Sequence, residues 1–276
     1  MLKRTVVGIL GSFLVCVAIF FNQSYPIILN ILIAIASVIS MYELLSAMGV
    51  LKKYFLTIPT FLFTVIVPLF ITELRFQFFW YVYTLIIFFV TLISKNITDF
   101  KDTAIVYTMA LVVSLSLGSL IMIRDISGKF ATFYVVLTLA VAWTSDTGAY
   151  FCGSFFGKHK LCPIISPKKT VEGAIGGIIV SFVSAFLVCF VFKNYIFDSD
   201  VLINYYLVAL VGFLGPIISM IGDLSFSFVK RTCNVKDFGN VIPGHGGVLD
   251  RIDSVIFLSP FVCFLSMLFP LVKTIY

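Results

Sequence analysis

Charge is scarce in this chain. Of 276 residues, only 12% are Asp, Glu, Lys or Arg, about half the share of an ordinary soluble domain. With 61% hydrophobic residues beside it, that shortage excludes a disordered chain and argues against a soluble globular one. Paired thiols are missing as well: six cysteines (Cys16, Cys152, Cys162, Cys189, Cys233 and Cys263) occur with no CxxC spacing. They read as small apolar residues rather than a disulfide or zinc framework. Internal repeats and low-complexity segments are absent too. What remains is oil. Mean hydropathy is +1.12, and apolar runs long enough to cross a bilayer, about 20 residues each, recur along the chain. These runs are continuous rather than alternating, which speaks against transmembrane strands.

The expected class is therefore an all-α, polytopic integral membrane protein with about nine transmembrane helices. The candidate spans are roughly 5–22, 26–48, 55–72, 77–94, 104–123, 131–151, 172–192, 202–222 and 255–273. The opening MLKRTVVGILGSFLVCVAIFF has the charge and apolar run of a signal peptide but no clear small-residue cleavage site, and it reads as a retained first span. Residues 1–130 read as amino-terminal membrane helices. Residues 131–276 read as a catalytic membrane region with cytoplasmic loops at 152–171 and 223–254.

Basic residues set the expected orientation. With the amino terminus inside, fourteen lysines and arginines fall on the inner side and five (Arg75, Arg124, Lys129, Lys193 and Lys273) on the outer side. Without the two polar-rich loops the count is six against five, so much of the bias lies in those loops themselves. The net charge of +6 suits inner loops facing anionic lipid or substrate, and no nucleic-acid partner is expected.

Those loops hold the concentrated polar chemistry. Asp223 closes the eighth expected span, and Asp250 and Asp253 stand three apart, on one face of a helix. Carboxylates at a membrane boundary are costly to desolvate unless partnered. A divalent cation would satisfy all three, and oxygen donors without a Cys–His set suit a hard ion such as Mg2+. Ion pairing with Lys230, Arg231 or Arg251 is the alternative. Lys230, Arg231, Lys236 and Arg251, interleaved with Asp237, Asp250 and Asp253, suit a ligand with several phosphates. An ordinary basic inner loop would also contain them. Gly244, Gly246 and Gly247 permit close backbone approach or a sharp turn, and His245 between them could donate to a phosphate oxygen.

The other loop contains SPKKTVEGAIGG, residues 166–177. Ser166, Thr170 and the following helix start could hold phosphate oxygens, with Lys168 and Lys169 supplying charge. Equally, this stretch could be a helix start with a first-turn acid, Glu172, followed by packing glycines. It is no P-loop: GSFFGKH, residues 153–159, has three residues between its glycines where four are needed. Asp146, late in the sixth span, is a candidate because acids inside spans default to function; a structural bond to Ser145 or to another helix is the alternative.

Residues 227–253, SFVKRTCNVKDFGNVIPGHGGVLDRID, resemble the signature of the phosphatidate cytidylyltransferases, also called CDP-diacylglycerol synthases. The resemblance rests on Ser227, Lys230, Arg231, Lys236, Asp237, His245, Gly246, Gly247, Asp250, Arg251 and Asp253 at their spacings. The upstream segment, SDTGAYFCGSFFGKHKL together with SPKKTVEGAIGG, is similar to that family as well. It departs at Ser145, where Asn is common, at Lys168, and at Val171, where Trp is frequent. The likeness is strong over residues 143–256 and rests on hydropathy alone before about 130.

The resemblance implies transfer of CMP from CTP to phosphatidate, giving CDP-diacylglycerol and pyrophosphate, in phospholipid synthesis. It implies a Mg2+ requirement, with Asp223, Asp250 and Asp253 as metal carboxylates and Asp146 as a further acidic site residue. A second cation such as K+, a homodimer and a location in the inner cell membrane with a cytoplasmic site are also implied. Catalytic roles would fall to Lys230, Arg231, Lys236, Asp237, His245 and Arg251. Substrate binding would fall to Ser166, Lys168, Lys169, Thr170, Glu172, Gly173, Gly246 and Gly247. The rival readings are a CTP-dependent lipid-alcohol kinase, an ion-coupled transporter using Asp146, and a noncatalytic membrane scaffold.

Overall fold

A computed structural model describes residues 13–73, 76–94, 99–197, 200–241 and 246–274. The apolar runs become helices because a backbone surrounded by lipid must satisfy its polar groups internally. Eight are bounded within the described residues: α1 (Pro26–Ala47), α2 (Tyr54–Phe70), α3 (Phe76–Ile93), α4 (Phe100–Ser127), α5 (Ala131–Phe156), α6 (Val171–Tyr195), α7 (Tyr205–Thr232) and α8 (Leu249–Leu268). Residues 13–20 are helical as well.

Local chemistry sets several boundaries. Pro26 opens α1 at a position that needs no N–H. Thr170 caps α6 by accepting the Gly173 N–H at 3.1 Å. Asn204 accepts the Leu207 N–H at 3.3 Å at the start of α7. A 3-10 turn, Gly128–Phe130, separates α4 from α5, and Gly128 takes a positive φ there.

Six helical stretches among the described residues are long and apolar enough to cross a membrane, so the chain is a multi-pass membrane protein. The expected count of about nine is not confirmed. The expected first span lies largely outside the described residues. At 17 residues, with Pro59 and Pro68 inside it, α2 is shorter than these six. Phe100–Phe156 counts as one stretch of 57 residues, although a helix of that length exceeds two bilayer thicknesses of about 30 Å.

Four short strands were not expected. β1 (Lys160–Cys162) pairs antiparallel with β2 (Ser166–Thr170), and β3 (Val201–Ile203) with β4 (Val272–Thr274). None is long enough to show an alternating pattern in the sequence. All six cysteines are free; Cys189 and Cys263 are buried, whereas Cys16 is exposed.

The fold divides into two compact units. The first draws on the described parts of Met1–Met122 and Thr232–Ile252. There, hydroxyls and rings tie α2, α3 and α4 together. Thr60 and Tyr83 hydroxyls meet at 3.2 Å, and Thr84 and Tyr107 at 2.9 Å. Phe63 stacks on Tyr83, and Tyr83 on Tyr107. Such bonds matter in lipid, where burial of apolar surface gives helices no preference for each other. Lys53 pairs with Asp102, which brings the start of α2 and the start of α4 to one side, as the alternation of spans requires.

The second unit draws on Ile123–Arg231 and the described part of Asp253–Tyr276. Its central contact is α5 against α6, made by small residues. A Cβ on Gly148 would meet Val180 at 2.8 Å, and one on Gly173 would meet the Ala149 carbonyl at 2.7 Å. A Cβ on Gly176 would overlap Cys152. Close backbone approach of this kind is the usual way membrane helices gain dispersion energy. At one end of this unit, the buried Tyr134 hydroxyl accepts the Leu271 N–H at 2.7 Å and the Val272 N–H at 3.3 Å, fixing the entry to β4. At the other end, Arg231 Nε donates to the Ile165 carbonyl at 3.3 Å, joining the last turn of α7 to the β1–β2 turn.

Candidate active site

In the second unit, three helices bring carboxylates together. α5 carries Asp146, α7 carries Asp223 and α8 carries Asp253. Asp253 is only 6% exposed, yet it lies within electrostatic reach of both Asp146 and Asp223. Ser254 connects two of them: its Oγ donates to Asp146 Oδ2 at 2.7 Å, and its N–H donates to Asp253 Oδ1 at 2.8 Å. Ser227 Oγ, one turn along α7, donates to Asp223 Oδ1 at 3.3 Å. Lys169, in β2, pairs with Asp223 and lies within electrostatic reach of Asp146. Lys230 stands in the same relation to Asp253. Three carboxylates on helices thus gather with two ammonium groups, one from α7 and one from β2.

The geometry follows from local sequence. α7 continues to Thr232, past the expected end of the span near 222, so Asp223, Ser227, Lys230 and Arg231 are all helical. Positions 223, 227 and 230 share a face at helical spacing. Gly222 lets α7 approach α8 closely: a Cβ there would sit 2.9 Å from the Asp253 carbonyl. The short β1–β2 hairpin swings Lys169 toward Asp223.

Thr170, Glu172 and Gly173, in the 166–177 stretch, have definite partners. Thr170 and Gly173 form the cap of α6 described above. Glu172 accepts the N–H groups of Lys158 and His159 and meets His159 Nδ1 at 2.6 Å, so it fastens the segment leading into β1. Lys168 is exposed, and Ser166 is half-buried at the start of β2.

A second polar cluster lies in the first unit. Asp250 Oδ2 accepts the Phe238 N–H at 3.1 Å and the Gly247 N–H at 3.0 Å. Gly246 has φ near +86°, a conformation that disfavours any side chain, and both Asp237 and Asp250 pack against it. Lys236, Asp237 and Arg251 are exposed. His245, and Gly244 beside it, lie outside the described residues.

Sequence reasoning missed two residues. Ser254 had no signal beyond its place next to Asp253. Glu43 had one: it is a lone acid in the apolar run of α1, and the rule that singles out Asp146 applies to it equally. Glu43 is 1% exposed and accepts the N–H groups of Val248 at 3.1 Å and Leu249 at 2.9 Å.

The donors in the second unit are carboxylate and hydroxyl oxygens, the set a hard divalent cation takes. Among the described residues, no group of three or more His, Cys, Asp or Glu side chains is arranged to hold a metal ion. Lys169 on Asp223 and Ser254 on Asp146 occupy oxygens such an ion would use.

Fold and cluster together define a polytopic membrane protein with an acidic and basic polar centre set among its helices. The sequence profile of the Cytidylyltransferase family matches residues 2–269, and the chain belongs to that family. It is 37% identical over 179 residues to the phosphatidate cytidylyltransferase of Bacillus subtilis (strain 168), covering 65% of this chain and 64% of that one. It is 39% identical over 170 residues to the phosphatidate cytidylyltransferase of Staphylococcus haemolyticus (strain JCSC1435), covering 62% and 61%. The matched region therefore spans a little under two thirds of each relative's length.

Proposed function

We propose that the protein is a phosphatidate cytidylyltransferase, joining CTP and phosphatidate to give CDP-diacylglycerol and pyrophosphate. The observation that carries this reading is the convergence of Asp146, Asp223 and Asp253 with Lys169 and Lys230 in one helical unit, in a chain of the Cytidylyltransferase family.

The chemistry fits those residue types. A phosphate oxygen of phosphatidate forms a bond to the α-phosphorus of CTP, while the bond from that phosphorus to the bridging oxygen breaks and pyrophosphate departs. The lipid phosphate is itself the nucleophile, so no protein serine or cysteine needs activating. Catalysis of this kind is mainly positioning and charge neutralisation. Lys169 and Lys230 supply positive charge for phosphate oxygens. Ser254 holds Asp146 and Asp253 in fixed orientations, and Ser227 does the same for Asp223. The resemblance names Asp223, Asp250 and Asp253 as ligands of Mg2+; of these, Asp223 and Asp253 share the cluster of the second unit, whereas Asp250 belongs to that of the first. When bound, the ion would neutralise charge on substrate oxygens. K+ as a second cation and a homodimer belong to the same proposal.

A diacyl substrate suits such a chain: its tails would stay in lipid while its phosphate reaches the polar centre. The excess of basic residues in the two polar loops favours the cytoplasmic face of the cell membrane. The test uses purified protein, radiolabelled CTP and defined phosphatidate, with and without chelator. CDP-diacylglycerol and pyrophosphate should form in equal amounts and vanish with chelator. Transfer of a terminal phosphate to a lipid alcohol instead would replace this reading with the kinase one.

A further inference from the structure

The geometry points to Glu43 as a positioning residue that sets the orientation of Asp250, an inference that rests on the cytidylyltransferase reading for its functional consequence. Glu43 lies near the end of α1 and is almost wholly enclosed, at 1% exposed. Its two oxygens take the N–H groups of Val248 and Leu249, at 3.1 and 2.9 Å. Those groups stand at the start of α8, where the first N–H groups have no partner within the helix. A carboxylate there satisfies both and also meets the positive end of the helix dipole. The contact joins positions 205 and 206 residues apart in sequence.

Two glycines show how closely the surrounding chain closes on this group. A Cβ on Gly239 would lie 2.5 Å from Glu43 Oε1, and one on Gly247 would overlap Oε2. Only at glycine can either segment come this near. The carboxylate is therefore gripped by residues 239, 247, 248 and 249.

Asp250 ties the same segments from its own side, through the Phe238 and Gly247 N–H groups. The residue before Gly239 and the residue before Val248 are thus its donors. Backbone fixed by Glu43 is the backbone that orients Asp250. Without the Glu43 carboxylate, the Val248 and Leu249 N–H groups lose their acceptor, and the donors that aim Asp250 are no longer anchored.

The test compares wild type with Glu43→Gln, Glu43→Asp and Gly247→Ala, each purified in lipid nanodiscs. Amide hydrogen exchange is read over residues 246–250. In the same samples, CMP transfer is read against Mg2+ and against CTP. Glu43→Gln keeps the size but turns a donor toward backbone donors. Gly247→Ala puts a methyl group where the carboxylate sits. In both, amides of 247–249 should exchange about tenfold faster or more, and the Mg2+ concentration for half-maximal rate should rise about tenfold, with KM for CTP changed less than about threefold. Glu43→Asp should recover part of both effects. Unchanged exchange in Glu43→Gln overturns the proposal. Faster exchange with an unchanged Mg2+ requirement overturns it too, because Glu43 would then brace the helix without setting Asp250. An inactive wild type removes the function proposed above, and exchange over 246–250 then decides alone whether Glu43 holds that backbone.

Discussion

Asp253 is the residue whose surroundings say most. It is buried at 6% exposure, within electrostatic reach of two other acids and of Lys230. Burying like charges together is unfavourable unless cations or hydrogen bonds compensate, and function is the usual reason such an arrangement persists within a membrane. Asp253→Asn keeps the shape and removes the charge. CMP transfer should fall by about 100-fold or more, while the protein inserts and elutes from size exclusion as before. Activity near wild type in this variant would remove Asp253 from the working centre. Ser254→Ala should be milder, because it deletes one donor to Asp146 and leaves the Ser254 N–H on Asp253; a loss of about tenfold in kcat is expected, read from initial rates at saturating CTP.

At the scale of elements, the decisive contact is α5 on α6. Small residues let the two backbones meet, and Thr170 and Gly173 use the same closeness to start α6 beside Gly153. That closeness delivers Asp146 from one helix and, through the β1–β2 hairpin that precedes α6, Lys169 from the other. A methyl group at Gly176 would overlap Cys152. Gly176→Ala should therefore destabilise the protein by about 1–3 kcal/mol, the range for overpacked cores, seen as a lower unfolding temperature in detergent. Ile179→Ala, on the same helix but 58% exposed, should change stability by less than about 0.5 kcal/mol. Equal effects at the two positions would mean that α5 and α6 are not held by this interface.

For the whole molecule, the question is which end faces which compartment. Several contacts sort the loops without naming the side. Lys53 with Asp102 joins two loops expected on one face, and Glu43 with Val248 and Leu249 joins a third to that set. Arg231 with Ile165 joins the two polar-rich loops. Within the second unit, Phe130, Phe133 and Phe197 gather at the other end from Arg231 and Ile165, with β3 and β4. Single cysteines in a cysteine-free background should fix the sides. Lys158→Cys should resist a membrane-impermeant maleimide in intact cells, and Tyr195→Cys, at a site 78% exposed, should react. The reverse pattern would invert the proposed orientation.

Much of this was legible in the sequence. Long uncharged runs become helices because lipid offers backbone polar groups no partner, and acids within or beside those runs stood out for the same reason. Asp146, Asp223 and Asp253 are singled out that way, whereas the loop signature is read from its resemblance to a known family. The partners were not legible. Nothing near Glu43 points to residues 248 and 249, nothing near Lys169 points to Asp223, and nothing near Asp146 points to Ser254. The short strands β1 to β4 also left no trace, since three to five residues cannot display a period. Local pattern follows from how each segment meets lipid. Which side chain answers which is decided only when segments far apart in the chain pack together, because a hydrogen bond or ion pair depends on distance in space and carries no mark in the order of residues.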